Sequence, residues 1–540
     1  MYTPLSPIII LDIETIIKKD VHYILKIGVI MSRSHRKRFK IYHDCSSAEV
    51  TVEQILMDIA KFSKPKKKVI IYCHNLSRFD GPLILKYLLE STKIDLVNII
   101  STNAGILCIE IIINDIVYLF KDSIKLLPFS LKRLSKMFST KNKSKLPINP
   151  RNICTPPKSL NNYLKKDLLI VKDVLQGYHD VMNKKFSIDI YNYLSSASLS
   201  ITLFRAFNNR KMFTIKNKKV RKFIRKSYKG GVLFSSLNKS YKAAHYDVNS
   251  LYAFSMLNKH PIGQPRVLVT KTVSNIFGFI KIDKLRTSNH YPLIKLNRTH
   301  FFSEELKFLC ALGFTFNIIK CYSFDHSFSL FNKLVNTVYL DKREDKGLGE
   351  KISKVILNSL YGRLGVQDLI VIKDPSYQIY VHPTLTKKRR EKGLTNASSI
   401  KISSVALASA IASYSRINMY QHAWTRSLEY EHINTDSLII STRKKDLIVN
   451  DEIGSFKKTS PVHYQEGLYL NLKTFILKST TTSKTKMTGS QTGKWENFED
   501  ILANPQKNFY EPRWVVKQTD ILTQTRKIKF SLGTKKESFH

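Results

Sequence analysis

The sequence lacks paired cysteines and long apolar runs. Its six cysteines, at positions 45, 73, 108, 154, 310 and 321, form no CxxC pair, which argues against a zinc site or a disulfide framework and fits a reducing compartment. No apolar run reaches the ~18 residues that a membrane span needs. The longest candidate, residues 108–120, is interrupted by Glu110, Asn114 and Asp115 and is predicted to form strands.

Internal repeats, low-complexity tracts and a signal peptide are also missing. The first predicted strand begins at Ile8, which leaves no room for a presequence. We therefore expect the protein to act in the compartment where it is made.

Acidic residues are scarce: 42 Asp and Glu stand against 88 Lys and Arg, for a net charge of +46. Such an excess is self-repulsive unless a polyanion neutralises it, so nucleic acid is the expected partner. Two alternatives remain open. The high lysine content also fits a protein from an AT-rich genome, because lysine codons are AT-rich. Binding to a membrane surface fits the charge as well, although no long basic amphipathic helix supports it. The length of 540 residues predicts three or four domains.

Strands alternate with helices over residues 1–185, which predicts an α/β domain. Continuous apolar segments at 8–16 and 67–76 predict buried strands, and helices are predicted after residue 80 and over 163–174. Further helices are predicted over 349–360 and 406–424.

Acidic side chains gather in this first region. Asp12 and Glu14 lie two apart on a predicted strand, so both point to one face, which favours a bound cation. A solvated strand end explains that short motif as well. Asp80 adds a third acid, and Tyr163 and Asp167, four apart on a predicted helix, add a phenol beside a fourth. Together these groups could hold two metal ions and orient a water for phosphodiester hydrolysis.

Three strings in the second half place a carboxylate, a cation or an aromatic as a nucleotidyl-transfer site requires. They are DVNSLY at 247–252, KVILNSLYG at 354–362 and NTDS at 434–437. With the acidic segments, their order and spacing resemble family B DNA polymerases, particularly the protein-primed branch. The resemblance covers residues 8–475 and implies an α/β multidomain fold: an RNase H-like 3′–5′ exonuclease domain followed by a right-hand polymerase of palm, fingers and thumb.

The resemblance also implies domain boundaries and two insertions, which in relatives grip the priming protein and encircle the template. The implied domains are an exonuclease at 1–185, a linker and first part of the palm at 186–256, a palm insertion at 257–338, fingers at 339–365, a second insertion at 366–398, further palm at 399–475 and a thumb at 476–540.

For the exonuclease, the resemblance implies that Asn75 and Phe79 hold the single-stranded 3′ end, although one extra residue separates Asn75 from Asp80. Residues 122–138 resemble a segment that touches single-stranded DNA or the priming protein. The implied metal ligands are Asp12, Glu14, Asp80 and Asp167, with Tyr163 positioning the water.

Within residues 122–138 the implied contacts are Ser123 and Phe129. A helix that packs Leu131, Leu134 and Phe138 into the core explains most of the same pattern.

For the polymerase, the resemblance implies that Asp247 and Asp436 bind two Mg²⁺ ions, with Mn²⁺ as a substitute. The ring of Tyr252 would clash with a 2′-hydroxyl and so favour deoxynucleotides. The implied nucleotide-binding residues are Tyr252, Arg343, Lys354, Asn358 and Tyr361, and the implied DNA-binding residues outside the exonuclease are Tyr228, Gly230, Gly231, Arg416 and Lys473.

The chain departs from the family pattern at three positions. Asn434 stands where the family usually has aspartate, which either is tolerated or marks a degenerate site. Phe475 replaces a tyrosine in the primer-strand element, and Ala412 replaces a threonine near the template.

The resemblance implies primer–template DNA, deoxynucleotides and a separate terminal (priming) protein as partners, since nothing long enough to be a fused terminal protein precedes Ile8. We expect a monomer without membrane contact, in a mitochondrion or, alternatively, in the cytoplasm of a virus or plasmid host. Two rivals remain: a nuclease that has lost polymerisation, which Asn434 would permit, and a non-catalytic DNA-binding relic. The intact acids argue against both.

Overall fold

The computed structural model describes the chain from Ile8 to Ile528 with internal gaps. The residues outside its description are 1–7, 19–20, 34–35, 44–47, 64–67, 91–93, 95, 103–104, 141–158, 210–213, 237–238, 289–297, 345–346, 367–368, 374–376, 382–396, 401–402, 425–429, 442–446, 448, 460–463, 473, 479–482, 487–508, 517–520 and 529–540.

The first part of the chain forms a mixed sheet with helices on both faces. Its strands are β1 (Ile8–Lys18), β2 (Val21–Arg33), β3 (Arg36–His43), β4 (Lys68–Cys73), β5 (Leu96–Thr102), β6 (Gly105–Ile113) and β7 (Ile116–Asp122). Its helices are α1 (Ala48–Ser63), α2 (Asp80–Glu90), α3 (Ser123–Leu126), α4 (Leu131–Met137) and α5 (Ser159–Phe186). Within this sheet the strand order is β5-β6-β7-β4-β1-β2-β3.

Strand β1 is apolar on both faces because both faces are covered. Ile9 and Ile13 pack toward α1 and α2, whereas Ile10 packs toward Leu164 and Leu168 of α5. β1 and β4 run parallel, as do β4 and β7, so their carboxyl ends meet at one edge of the sheet. This arrangement confirms the predicted α/β domain and brings the acids of β1 close to the acid that ends β7.

The apolar run at 108–120 forms strands, as predicted. β6 and β7 make an antiparallel hairpin whose turn is Asn114–Asp115, and both turn residues have positive φ. Two consecutive positive φ angles suit the type I′ turn that right-twisted hairpins prefer. The helix predicted over 163–174 is longer than expected, since α5 spans Ser159–Phe186.

A second sheet of eight strands follows a helical segment made of a 3₁₀ turn (Ile190–Asn192), α6 (Ser196–Phe207) and α7 (Lys218–Ser227). The strand order along the sheet is β24-β23-β22-β9-β20-β19-β8, with β21 paired to β9. These strands are β8 (Val232–Ser235), β9 (Lys239–Val248), β19 (Tyr430–Thr435), β20 (Ser437–Ser441), β21 (Phe456–Lys458), β22 (Tyr464–Asn471), β23 (Thr474–Lys478) and β24 (Ser483–Lys486).

Between β9 and β19 the chain forms a small sheet and a set of packed helices. The small sheet has the order β11-β14-β12-β13, and β10 pairs with β15. The elements are α8 (Leu251–Met256), β10 (His260–Ile262), β11 (Arg266–Leu268), β12 (Gly278–Ile282), β13 (His300–Phe302), α9 (Ser303–Ala311), β14 (Ile318–Ser323), β15 (His326–Phe328), α10 (Asn332–Glu344), α11 (Leu348–Gly365) and α12 (Val405–Trp424).

The helices predicted over 349–360 and 406–424 are confirmed as α11 and α12. α11 packs against α6, α10 and α12, and its buried apolar face includes Ile352, Ile356 and Leu360. Among the described residues, no helix combines the length and apolar character needed to cross a membrane.

The predicted second insertion extends the first sheet. Its strands β16 (Leu369–Lys373), β17 (Tyr377–Val381) and β18 (Ala397–Ile400) pair with one another, and β17 runs parallel to β5. The first sheet therefore has ten strands. In the C-terminal region, β25 (Phe509–Val516) and β26 (Ile521–Ile528) form an antiparallel hairpin.

Candidate active sites

Helix α5 lies close over the end of β1 because a glycine leaves room for it. Asp12 pairs with Gly28 of β2, where a Cβ atom would stand 2.7 Å from the Leu164 side chain. This approach places Tyr163 and Asp167 of α5 over the acidic end of the strand. The acids Asp12, Glu14, Asp80 and Asp167 and the phenol of Tyr163 are called the acidic cluster below.

The side chains of the acidic cluster interact with one another. Tyr163 donates a hydrogen bond to Asp167, so the spacing of four residues has the predicted effect. Burial raises the pKa of Tyr163, and the negative charges of Asp167, Glu14 and Asp12 raise it further. The phenol therefore stays protonated and can donate a hydrogen bond to a water or a phosphate.

Asp80 begins helix α2 and is 1% exposed. Burial raises its pKa well above the ordinary value, and the charges of Asp12 and Asp122 add to this. Backbone hydrogen bonds from Asp80 itself and from Ile13 act in the opposite direction but do not outweigh the effect of burial. An ionised carboxylate in this position needs a cation for compensation.

The residues of the acidic cluster suit a hard divalent cation, because all the acidic ligands are carboxylate oxygens. Within the described ranges, no three His, Cys, Asp or Glu side chains converge closely enough to hold a metal ion by themselves.

Asp122 is a member of this site that the sequence pattern did not single out. It ends β7 in parallel register with Cys73 of β4, it is fully buried, and its charge acts on Asp80. An acid at the end of an apolar strand was the available signal, the same signal that marked Asp12.

Ser123 is not available for the DNA contact that the resemblance implied. Its side chain is buried, contacts His74 Nδ1 at 2.8 Å and donates to the carbonyl of Cys73. The prediction is therefore corrected: Ser123 braces the ends of β4 and β7. The alternative for this segment is confirmed in that Leu131 and Leu134 are buried and Phe138 packs against them, while Phe129 is half-buried beside Arg133.

The second site lies on β9 and on the hairpin formed by β19 and β20, and it is called the hairpin site below. Its acids are Asp247 and Asp436. Asp247 near the end of β9 pairs with Ser437, the residue that follows Asp436 in the turn between β19 and β20. The backbone of Val248 donates to the carbonyl of Asp436 at 2.7 Å. Two acids far apart in the sequence are thus brought together, and Lys457 Nζ lies 3.4 Å from Asp247.

The turn that carries Asp436 is tight. Asn434 pairs with Ser437, and Thr435 between them has a positive φ of 63°. The backbone of Asp436 donates to the carbonyl of Asn434 at 2.8 Å. Asn434 thus closes the turn through its backbone, which aspartate or asparagine would do equally.

Gly231 packs against this turn. A Cβ atom at Gly231 would stand 2.7 Å from the Thr435 side chain and 3.0 Å from its Cα, whereas a Cβ at Gly230 would meet nothing within 4 Å. The first glycine of the pair is free to approach a ligand, and the second is required by the turn.

We therefore expect Gly231→Ala to displace the turn and to destabilise the folded protein by about 1–3 kcal/mol, the usual cost of overpacking. Gly230→Ala is the matched variant, and it should leave the thermal unfolding temperature unchanged while Gly231→Ala lowers it. Equal unfolding temperatures for the two variants would contradict this packing argument.

Three tyrosines pack together beside the hairpin site. The rings of Tyr252 and Tyr361 stack with centroids 3.9 Å apart, and Tyr228 meets Tyr361 edge-on at 6.2 Å. Burial raises the pKa of Tyr361, and its hydroxyl group is hydrogen-bonded to both partners. Burial raises the pKa of Tyr252, and the negative charge of Asp436 raises it further, so the two side chains interact electrostatically.

Helix α11 presents its predicted polar residues to solvent. Lys354 and Asn358 are exposed on one face, and Tyr361 further along turns inward to the tyrosines. Arg343 lies in α10, but its side chain is outside the described structure, as is Lys473 entirely.

Arg416 does not face a DNA-binding surface. It is 3% exposed and donates to both carboxylate oxygens of Glu305, at 2.8 and 2.6 Å. Its remaining nitrogen donates to the carbonyls of Lys229 and Gly230. The prediction of a template contact is therefore corrected: Arg416 holds the loop that carries Tyr228, Gly230 and Gly231.

Glu305 on α9 is a second residue that the sequence did not single out. It also pairs with Arg298 at 2.6 Å. Burial alone would raise its pKa, but Arg298 and Arg416 outweigh burial and lower the pKa to about 2. No local signal in the sequence links Glu305 to an arginine more than a hundred residues away.

Comparisons with known proteins agree with this arrangement. The family model described as DNA polymerase type B, organellar and viral, matches residues 61–155 and 156–427. A probable DNA polymerase of Agaricus bitorquis is 26% identical over 93% of this chain and 77% of its own length, and one of Podospora anserina is 26% identical over 58% and 31%. A probable DNA polymerase of Ascobolus immersus matches 84% of this chain, which spans 44% of that relative's length.

The fold is shown by solved structures of Phi29 DNA polymerase. The one complexed with primer-template DNA has a TM-score of 0.73 at 17% identity, with 98% of this chain and 100% of that chain covered. The predicted fold class, an RNase H-like exonuclease domain followed by a right-hand polymerase, is confirmed. Because the matching model covers well over half of its residues, the chain belongs to the organellar and viral family of type B DNA polymerases.

Proposed function

We propose that the protein is a DNA-directed DNA polymerase with a 3′–5′ exonuclease, and that each activity uses two divalent metal ions. The observation that carries the proposal is the register of β9 and β20, which sets Asp247 beside the Asp436 turn. The stacked rings of Tyr252 and Tyr361 belong to the same region, because the charge of Asp436 acts on Tyr252. A nucleotidyl-transfer site needs both features in one place.

In the polymerase reaction, Asp247 and Asp436 would hold Mg²⁺, which stabilises the attacking 3′-oxygen and the leaving pyrophosphate. Lys354 and Asn358 on the exposed face of α11 would bind the triphosphate of the incoming nucleotide, with Arg343 as a further phosphate contact. Tyr252 would lie under the sugar and exclude a 2′-hydroxyl. In the present arrangement Tyr252 and Tyr361 stack on each other, so a nucleotide would have to part them.

In the exonuclease reaction, the acidic cluster would hold the metal ions that activate water and neutralise the phosphodiester. The protonated phenol of Tyr163, fixed by Asp167, would orient the water by hydrogen bonding. Asn75 and Phe79, in the loop before Asp80, would hold the 3′ end of the strand.

Primer-template DNA and deoxynucleotides are the proposed substrates. A solved structure of Phi29 DNA polymerase, with a TM-score of 0.73 to this chain, contains primer-template DNA and incoming nucleotide substrates. Helix α7 adds an exposed basic surface that leads into the Tyr228 loop and suits the phosphate backbone. We further propose a separate priming protein that binds the insertion at 257–338, a monomeric enzyme, and a location in a mitochondrion or in the cytoplasm of a virus or plasmid host.

The proposal is tested with an end-labelled primer on a longer template. With Mg²⁺ the primer should be extended when deoxynucleotides are present and shortened when they are absent, and EDTA should stop both reactions. Asp12→Ala should stop shortening alone. Shortening without extension would defeat the polymerase assignment, leave a nuclease, and make Asn434→Asp the reversion to test. Binding that falls with salt, without either reaction, would leave a DNA-binding relic.

A further inference from the structure

The loop that joins β4 to α2 carries Asn75 and Phe79 and ends at Asp80. Its conformation is unusual, because Asn75 has a φ of 90°, a region that residues other than glycine rarely adopt. The backbone N–H groups of Arg78 and Phe79 both donate to the carbonyl of Asn75, at 3.1 and 3.0 Å. A strained backbone conformation such as that of Asn75, at the start of the loop, persists only when surrounding groups hold it in place.

The carboxylate of Asp122 is the group that fixes it. Oδ1 accepts from the backbone N–H of Asn75 at 3.0 Å, and Oδ2 accepts from that of Ser77 at 3.0 Å. A third bond, from Ile124 at 3.1 Å, fastens the carboxylate to the start of α3. Both oxygens are thus engaged with backbone donors, and two of the three donors belong to the loop.

Three backbone donors explain how a fully buried Asp122 is tolerated beside other acids. Hydrogen bonds to an ionised group are shorter and stronger than neutral ones, and they offset much of the cost of burying the charge. Both oxygens of Asp122 accept from backbone donors of the loop and of α3, so its contacts are those of a brace.

We propose that Asp122 is a positioning residue of the exonuclease site, which holds the Asn75–Phe79 loop in the conformation that binds a single-stranded 3′ end. The inference rests on the proposed exonuclease activity. It assigns to the end of β7 a function in substrate binding, although Asp122 itself touches neither the strand nor the metal ions.

The test is Asp122→Asn. The amide keeps the size of the carboxylate but presents one oxygen and one NH₂ group, so it can accept only one of the two loop N–H bonds and opposes the other. We expect the KM for shortening a labelled single-stranded oligonucleotide to rise about tenfold, the effect of one lost charged hydrogen bond. The value of kcat should change much less, and extension on a primed template should be unchanged.

Asp58→Asn is the matched control. Asp58 is a buried carboxylate of the same domain, but it accepts from Lys40 and Tyr42, at 2.6 and 2.7 Å, and touches no part of the loop. Both variants should lower the unfolding temperature, and only Asp122→Asn should raise KM. An unchanged KM in Asp122→Asn, or a loss of shortening and extension in equal proportion, would overturn the inference. An unsubstituted protein that shortens no primer would defeat the proposed function and this inference with it.

Discussion

Asp436→Asn is expected to reduce primer extension about a thousandfold while primer shortening continues. The substitution removes one of the two carboxylates of the hairpin site, and loss of metal-held charge at a phosphoryl-transfer centre costs several kcal/mol of transition-state stabilisation. The turn itself should survive, because its hydrogen bonds from Val248 and to Asn434 use the backbone of Asp436. Rates of extension and shortening on the same labelled primer measure the effect.

Glu452→Gln is the control for Asp436→Asn. Glu452 is an exposed carboxylate on the segment before β21, and its neutralisation removes the same charge from the same half of the chain. Extension by this variant should match the unsubstituted protein. If Asp436→Asn extends a primer at more than about a tenth of the normal rate, a loss of under 1.4 kcal/mol, the hairpin site is not the polymerase centre.

Glu305→Ala is expected to destabilise the second half of the protein by about 3–5 kcal/mol, because Arg298 and Arg416 would remain buried without a counter-charge. Without Glu305, Arg416 should also hold the carbonyls of Lys229 and Gly230 less firmly, and primer extension should therefore become slower. Differential scanning calorimetry measures the first effect and primer extension the second.

The neighbouring Glu304 provides the control for Glu305. Its carboxylate pairs with Lys307 at 2.8 Å near the surface, where an ion pair contributes at most about 1 kcal/mol. Glu304→Ala should therefore unfold close to the normal temperature. Similar unfolding temperatures for the two variants would show that the buried ion cluster contributes little.

The same cluster predicts how stability responds to acid. The pKa of Glu305 is lowered from 4.5 to about 2 in the folded protein, so the unfolded chain takes up the proton first as pH falls. The contribution of Glu305 is complete above pH 4.5 and declines as the pH falls toward 2. Glu305→Ala should lose this part of the acid sensitivity.

The sequence predicted the elements whose signal is local. The continuous apolar run before Asp12 favoured a strand covered on both faces, and the period of the Lys354–Tyr361 segment favoured a helix with one exposed face. The acidic cluster and the hairpin site were predicted from such segments, because their acids occur in short recognisable strings on strands, helices and a turn.

The errors concern partners that lie far apart in the chain. Arg416 carried a charge that suited DNA, and nothing near it in the sequence revealed that Glu305 would accept hydrogen bonds from two of its guanidinium nitrogens. No sequence pattern distinguished Asp122 from the other acids of the chain. Its parallel pairing with Cys73 places it beside the loop that carries Asn75. The pairing of distant strands and the burial of charged side chains depend on the whole fold. Local sequence patterns carry no information about either.

The pairing of β17 with β5 means that the first and second halves of the chain do not form separate sheets. The sheet that carries the acidic cluster is completed by strands that the chain supplies only after α11, from the second half of the sequence. A fragment ending near residue 185 would leave the backbone groups of β5 open to any other strand, and an open edge of that kind promotes self-association. The proposed proofreading site therefore shares its sheet with strands from the second half of the chain, and removal of those strands would expose an edge of that sheet.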